Sequence, residues 1–155
     1  MNLDQMKFRC PDAEVIGNVV VKDYRLAFRG NSRGNGVASI LPEQGKQVSG
    51  VLWRITGKCE ESLDHYEGYP YLYGKQDVLV QCEDGRKMQA AVYIMNEPYQ
   101  SQPALPSQYY LRGILEGCRQ NGLSESDIAK AVHMTRKEIR KQERRKETHD
   151  REMRR

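Results

Sequence analysis

Short extended segments follow one another through the middle of this chain, whereas helix-like segments lie mostly at its two ends. Turn residues, rather than helices, separate most of the extended segments. About six such segments are present, at residues 15–21, 24–28, 37–41, 48–55, 71–81 and 87–95. Because strands and helices do not alternate, the order excludes a doubly wound parallel sheet and predicts an α+β domain. The close spacing of the strands favours a small curled or barrel-like mixed sheet with flanking helices.

Cap residues and apolar spacing indicate the helical segments. They are expected at residues 1–10, 60–67, 107–120, 124–132 and 136–151. Gly68 and Gly122 stand where a C-terminal cap is expected. The 107–120 segment is amphipathic and carries Tyr110, Ile114 and Cys118 on one stripe.

The positive charge of the chain is concentrated near its C-terminus. With 155 residues, the chain is long enough for one domain with an appendage. Residues 130–155 hold eleven Lys/Arg against five Asp/Glu, a net +6, while the remainder is −2. This explains a mean hydropathy of −0.80 in a chain with an ordinary apolar content. A nearly neutral body argues against a basic nucleic-acid-binding surface there.

The sequence does not lead us to expect a membrane-spanning, a secreted or a metal-binding protein. No apolar run approaches the roughly 18 residues of a spanning helix, and the N-terminal residues lack a signal-peptide pattern. The three histidines have no metal-ligand spacing, so no metal site is expected. The four cysteines are widely scattered, at positions 10, 59, 82 and 118. We expect four reduced thiols in a cytoplasmic protein.

The densest polar and aromatic stretch covers residues 63–71 and includes Glu67. A carboxylate at a helix end among aromatic rings is a candidate for a raised pKa, because partial desolvation disfavours its charged form. The alternative is a solvated surface glutamate beside core tyrosines. Nine tyrosines, against two Phe and one Trp, could line a polar site. They could equally pack on a sheet surface.

An ordered set of motifs carries a resemblance to a known family. The set runs through Tyr24-Arg25-Leu26-Ala27-Phe28, Gly36-Val37-Ala38-Ser39-Ile40, Val48-x-Gly50-Val51-Leu52-Trp53, Leu63-Asp64-x-x-Glu67-Gly68-Tyr69, Ala91-Val92-Tyr93-Ile94-Met95, Pro106-Ser107-x-Tyr109 and Asn121-Gly122-Leu123. In this order the chain resembles the γ-glutamylcyclotransferase family, over roughly residues 1–123. We therefore divide it into a cyclotransferase-like domain, 1–123, and a helical basic extension, 124–155.

The resemblance implies an enzyme that acts on a small-molecule γ-glutamyl substrate. Members of the family cleave γ-glutamyl amides by attack of the substrate's own α-amine, which releases 5-oxoproline, and they use no cofactor. The family's catalytic glutamate falls on Glu67, and Tyr93 and Tyr109 match tyrosines that line its substrate site. The chemistry suits these residues, because a tethered nucleophile needs mainly positioning and one carboxylate that moves protons.

The N-terminus departs from the family pattern. The family begins with a strand that leads into a Tyr-Gly-Ser-Asn turn, whose N–H groups cradle the substrate, and Met1 stands just after that point. We expect the missing strand and turn to be encoded upstream of Met1; the alternative is a true variant that has lost them. Without that strand a sheet edge lies open, which favours a homodimer through strand pairing.

The C-terminal extension carries the second functional hypothesis. Ile128, Ala129 and Ile139, with a turn expected near His133, have the apolar spacing of a helix-turn-helix. The alternative is a pair of terminal helices that pack on the body and continue into a solvated basic helix. The second alternative is favoured, so nucleic acid is not an expected partner of the enzyme; nucleic-acid binding through the helix-turn-helix-like tail belongs to the rival function. The rival to the enzyme is a non-catalytic protein of the same fold that binds through its site or its basic tail.

Overall fold

A computed structural model describes residues 1–31 and 33–155. Within these ranges a sheet and four α-helices are present, together with a 3₁₀ turn at Tyr99–Ser101. The helices are α1 (Leu3–Arg9), α2 (Gly57–Glu67), α3 (Gln108–Asn121) and α4 (Glu125–Met153). The strands are β1 (Glu14–Gly30), β2 (Gly36–Arg54), β3 (Tyr73–Cys82) and β4 (Lys87–Met95).

Two long bent strands, β1 and β2, replace four of the short strands expected from the sequence. They pair antiparallel along their whole lengths, with register shifts between Val15 and Gly17 and between Lys22 and Tyr24. At the second shift Asp23 adopts a left-handed conformation with φ 63°. Its Oδ1 accepts a hydrogen bond from the Gly45 N–H at 3.0 Å. The break expected between the 37–41 and 48–55 segments is therefore a bulge inside β2, which bends the strand without ending it.

The strand order is β2-β1-β3-β4, and every pairing is antiparallel. The α+β class is confirmed. The expectation of a mixed sheet was wrong, because every pair of neighbouring strands is antiparallel. Only three residue pairs, at Val19–Val21, join β1 to β3. Beyond them the sheet curls until the Met95 N–H donates to Ser39 Oγ of β2 at 3.1 Å. The sheet is curled but open, because no ladder of backbone hydrogen bonds joins β2 to β4 in the described residues.

The main core lies between one end of the β1–β2 hairpin and helices α3 and α4. Phe28 of β1 and Cys118 of α3 pack there against Ile128 and Ala131 of α4. The first half of α4 thus shares the core of the rest of the chain. The boundary at residue 123 stays a prediction.

Helix α4 is a single helix, so the two helices with an intervening turn expected near His133 are wrong. Its N-cap is Ser124, and neither Gly nor Pro occurs between Glu125 and Met153 to interrupt the hydrogen bonding. Thr135 is buried in the middle of the helix and donates to the carbonyl of Ala131 at 2.8 Å. A helix-turn-helix is therefore not present.

The cysteines differ from the expectation of four reduced thiols. Cys10, just after α1, and Cys59 of α2 form a disulfide with a Cα–Cα distance of 5.2 Å. Cys82 and Cys118 are free. The two paired residues are far apart in sequence but are brought together by the packing of α1 on α2. None of the helices described is both long and apolar enough to cross a membrane.

Candidate active site

Helix α2 presents a stripe of three carboxylates, Glu60, Asp64 and Glu67. The helix begins at the N-cap Thr56, whose side chain accepts from the Cys59 N–H. Residues spaced by four and by three positions lie on the same helical face, so the three side chains point to one side. The stripe faces the sheet: Lys75 of β3 reaches Glu60 at 2.8 Å and Asp64 at 3.0 Å.

Glu67 is the last residue of α2. Gly68 caps the helix in the left-handed conformation, with φ 65°, which Gly adopts without the steric cost of a Cβ. Among the described residues, no hydrogen bond or ion pair engages the Glu67 carboxylate. Burial raises its pKa, and the positive charges of Arg9 and the amino terminus oppose that rise. The raised pKa expected from the sequence is thus confirmed, and Glu67 is the carboxylate on the stripe without a cation bonded to it.

Two tyrosines near Glu67 bond to the backbone of the same residue of β2, Ala38. The hydroxyl of Tyr73 donates to the carbonyl of Ala38 at 2.7 Å. The hydroxyl of Tyr110 accepts from the N–H of Ala38 at 3.0 Å. Burial raises the pKa of both tyrosines, and the negative charge of Glu67 raises it further.

Tyr93 of β4 lies on the other side of the carboxylate stripe. Its ring packs against the cluster of Cys10, Cys59 and Leu63. Its hydroxyl donates a short hydrogen bond to Asp64. Burial, the bond to Asp64 and the charge of Glu67 all raise its pKa. The charge of Glu67 therefore acts on three tyrosine hydroxyls that come from β3, β4 and α3.

The sequence assigned Tyr109 to the site, but in the structure its side chain faces solvent. Tyr109 begins the outward face of α3 and is 85% exposed, whereas Tyr110 turns toward β2. The charge of Glu67 thus acts on Tyr93, which the sequence assigned to the site, and on Tyr110, the neighbour of the assigned Tyr109. The stripe of Tyr110, Ile114 and Cys118 already contained the signal, since a stripe that ends in a buried Cys118 turns Tyr110 inward.

Three residues of the site were missed at the level of sequence: Tyr73, Asp64 and Lys75. Tyr73 is buried at the start of β3, where the alternation of the strand gave a signal. Asp64 was noted only as part of the Leu63-Asp64-x-x-Glu67-Gly68-Tyr69 motif, without a role of its own. The informative signal was the spacing of three residues between Asp64 and Glu67, which places both on one face of α2. Lys75 comes from another element, so no local pattern could have paired it with α2.

The chemistry available to this arrangement is proton transfer. A carboxylate with a raised pKa can accept a proton near neutral pH and return it, and tyrosine hydroxyls can orient polar groups of a ligand. No group of three or more His, Cys, Asp or Glu side chains in the described part of the chain could hold a metal ion.

Comparison with known proteins gives a consistent result. Residues 2–112 match the family described as gamma-glutamyl cyclotransferase, AIG2-like. Human gamma-glutamylcyclotransferase is 31% identical over 128 residues, which are 77% of this chain and 66% of the human protein. The mouse protein of the same name is 30% identical over 130 residues, 79% of this chain and 67% of its own length. This chain thus spans about two thirds of the length of these curated relatives.

A solved structure bears the same name. That gamma-glutamyl cyclotransferase matches with a TM-score of 0.73 at 27% identity, over 83% of this chain and 79% of the solved chain. By its fold and site this is a small α+β protein in which a carboxylate at a helix end lies near several tyrosines. The chain belongs to the gamma-glutamyl cyclotransferase, AIG2-like family.

Proposed function

We propose that this protein is a γ-glutamylcyclotransferase, which releases 5-oxoproline from a γ-glutamyl amide or peptide with Glu67 as general base and then general acid. The observation that carries the proposal is the half-buried Glu67 carboxylate, which no described group pairs and whose pKa burial raises. The names of the relatives support the same activity.

The reaction needs one proton acceptor that becomes a proton donor. Glu67 takes a proton from the substrate's α-ammonium group, and the free amine attacks the γ-carbonyl carbon to form the ring C–N bond. The protonated Glu67 then gives its proton to the leaving nitrogen as the original amide bond breaks. The ring nitrogen loses its second proton, which Glu67 passes to the released amine, so the amine leaves as an ammonium group and Glu67 is ionised again. A carboxyl with an ordinary pKa is a weak base toward an ammonium group, so the raised pKa of Glu67 improves the first transfer. Because the nucleophile is tethered, holding the substrate bent supplies much of the remaining acceleration.

Tyr93 and Tyr110 are the tyrosines we propose as substrate-binding residues. Their hydroxyls approach Glu67 from β4 and α3, and the charge of Glu67 acts on both. Tyr110 takes the role assigned from the sequence to Tyr109, whose ring is 85% exposed. The reaction as written uses only side chains of this chain and needs no cofactor.

The test is a mass-spectrometric assay for 5-oxoproline with a panel of γ-glutamyl dipeptides and amines. It uses this chain and any longer form that the source DNA encodes. Glu67→Gln is expected to lower kcat by about 100-fold or more, since general acid–base catalysis contributes 10²–10⁴-fold. Glu61→Gln, on the exposed side of the same helix, is the matched control. Absence of 5-oxoproline from every substrate, or full activity of Glu67→Gln, would overturn the proposal.

The remaining expectations concern partners and location. A homodimer through a sheet edge stays a prediction, which light scattering after size exclusion tests. A non-catalytic binding role is the alternative if turnover is absent. It would rest on the exposed basic half of α4 and not on a helix-turn-helix. A cytoplasmic location also stays a prediction, and the Cys10–Cys59 disulfide, a feature typical of oxidising compartments, makes cell fractionation informative.

A further inference from the structure

The hydroxyl hydrogens of the three site tyrosines are used differently. Tyr73 gives its hydrogen to the carbonyl of Ala38. Tyr110 accepts from the N–H of Ala38, so its own hydrogen stays available for another acceptor. A ligand that meets these hydroxyls therefore meets groups of different hydrogen-bonding polarity.

The hydrogen of Tyr93 is committed to Asp64. The Asp64 carboxylate accepts from Tyr93 through Oδ1 and from Lys75 through Oδ2. These two bonds hold the pKa of Asp64 below its ordinary value, with the bond from Tyr93 as the larger cause. Because an ionised carboxylate has no hydrogen to give, Tyr93 must be the donor. Its oxygen then offers only lone pairs to a ligand.

Lys75 holds Asp64 in place. Its ammonium group bonds to both Asp64 and Glu60, and it lies 4.3 Å from the centroid of the Tyr69 ring. Because both carboxylate oxygens of Asp64 are hydrogen-bonded, its side chain has little rotational freedom. The hydrogen bond from Tyr93 to Asp64 is therefore fixed by an ion pair and not only by the packing of the Tyr93 ring.

We infer that Asp64, held by Lys75, is a positioning residue that makes the Tyr93 hydroxyl a hydrogen-bond acceptor for the α-ammonium group of the substrate. The inference rests on the proposed function, which places an α-amino group beside Glu67. An ammonium group has donors and no acceptor, so it matches the lone pairs of Tyr93 and would repel a hydroxyl that offered its hydrogen. Asp64 and Glu67 lie three positions apart on α2, so Tyr93 and the proton acceptor approach the substrate from the same face.

The test compares two ligands that differ only in the α-amino group: γ-glutamylbutylamide and the same amide built on glutarate. Calorimetry gives the Kd of each in the Glu67→Gln background, where turnover is not expected. The quantity of interest is the preference, which is the ratio of the two Kd values. Asp64→Asn is expected to reduce the preference about tenfold, the size of one hydrogen bond to a charged group.

Two further variants separate positioning from general structural damage. Glu60→Gln removes the other carboxylate bonded to Lys75 and leaves the Tyr93–Asp64 bond untouched. It is expected to keep the preference within about twofold, a difference smaller than one hydrogen bond. Tyr93→Phe should lower the preference as Asp64→Asn does, and the double variant should be no worse than either single one. Additive losses would mean that Asp64 acts on the ligand directly, which would overturn the positioning role.

The outcomes distinguish this inference from the proposed function. Production of 5-oxoproline by the unsubstituted protein tests the function alone. Turnover with an unchanged preference in Asp64→Asn would retain the function and overturn the inference. If neither ligand binds and no 5-oxoproline forms, both fail. If Asp64→Asn does not fold, the preference of Tyr93→Phe decides: an unchanged value overturns the inference.

Discussion

Glu138 of α4 accepts two hydrogen bonds from the guanidinium of Arg29, at 2.8 and 3.3 Å. The Arg29 side chain is only 4% exposed, so this pair joins the long helix to a buried cation of β1. Arg29 is further bonded to the carbonyl oxygens of Phe28 and Gln100. Water cannot reach the Arg29 guanidinium to replace Glu138 as its partner. The attachment of α4 to β1 therefore depends on this ion pair.

Glu138→Gln is expected to destabilise the protein by about 3 kcal/mol, because removing one partner leaves a buried charge uncompensated. Urea unfolding followed by circular dichroism measures the change. Glu143→Gln, on the exposed part of the same helix, is the control and should change stability by less than about 0.5 kcal/mol. Equal stability of the two variants would show that Arg29 is satisfied by its carbonyl partners alone.

Glu67 is expected to lower the stability of the folded protein at neutral pH. Its pKa is raised on folding above the ordinary 4.5, so the unfolded state loses its proton first as the pH rises. Stability from this group is present at low pH and is lost as the pH rises from 4.5 through the folded pKa. Glu67→Gln should therefore raise Tm at pH 7, and the gain should shrink toward pH 4. Differential scanning calorimetry across this range measures it; a gain that grows on acidification would contradict the assigned direction.

The disulfide between Cys10 and Cys59 is expected to stabilise the fold. It closes a loop between residues 49 positions apart, and the chain-entropy account gives about 4 kcal/mol for a loop of that size. Cys10→Ser combined with Cys59→Ser should lower the free energy of unfolding by about 2–4 kcal/mol. Cys82→Ser is the control. Alkylation in denaturant without reductant should label Cys82 and Cys118 alone, and labelling of all four cysteines would refute the pairing.

Local patterns predicted the elements that carry the site better than the way those elements meet. The caps of α2 at Gly68 and of α3 at Gly122 depend on neighbouring residues, and both were predicted. The bend at Asp23 was not, because a left-handed Asp opposite a bulge in β2 depends on a partner strand. A non-glycine residue in that conformation has no signature in its own segment.

Contacts between residues far apart in the sequence could likewise not be predicted from local patterns. Glu67 was singled out by a local signal, a carboxylate among aromatics, and was given its catalytic role by the family resemblance. The pairing of Lys75 with Asp64 joins β3 to α2, and the pairing of Cys10 with Cys59 joins the end of α1 to α2. In both cases the tertiary packing of the elements determines which residues pair. The single α4 helix was a different error: two terminal helices were expected on either side of His133, although no helix-breaking residue stands there.

The two adjacent tyrosines of α3 offer a direct test of which one belongs to the site. The Tyr110 hydroxyl is bonded to the Ala38 N–H, whereas the Tyr109 ring is 85% exposed. Tyr110→Phe removes a hydroxyl that the proposed substrate would meet, so kcat/KM for 5-oxoproline formation should fall about 10-fold or more. Tyr109→Phe should change it by less than about twofold, because an exposed hydroxyl bonds to water in either state. Thermal melts of both variants separate catalysis from folding. The reverse order of effects would return the assignment to Tyr109 and would mean that α3 is rotated by one residue relative to the structure.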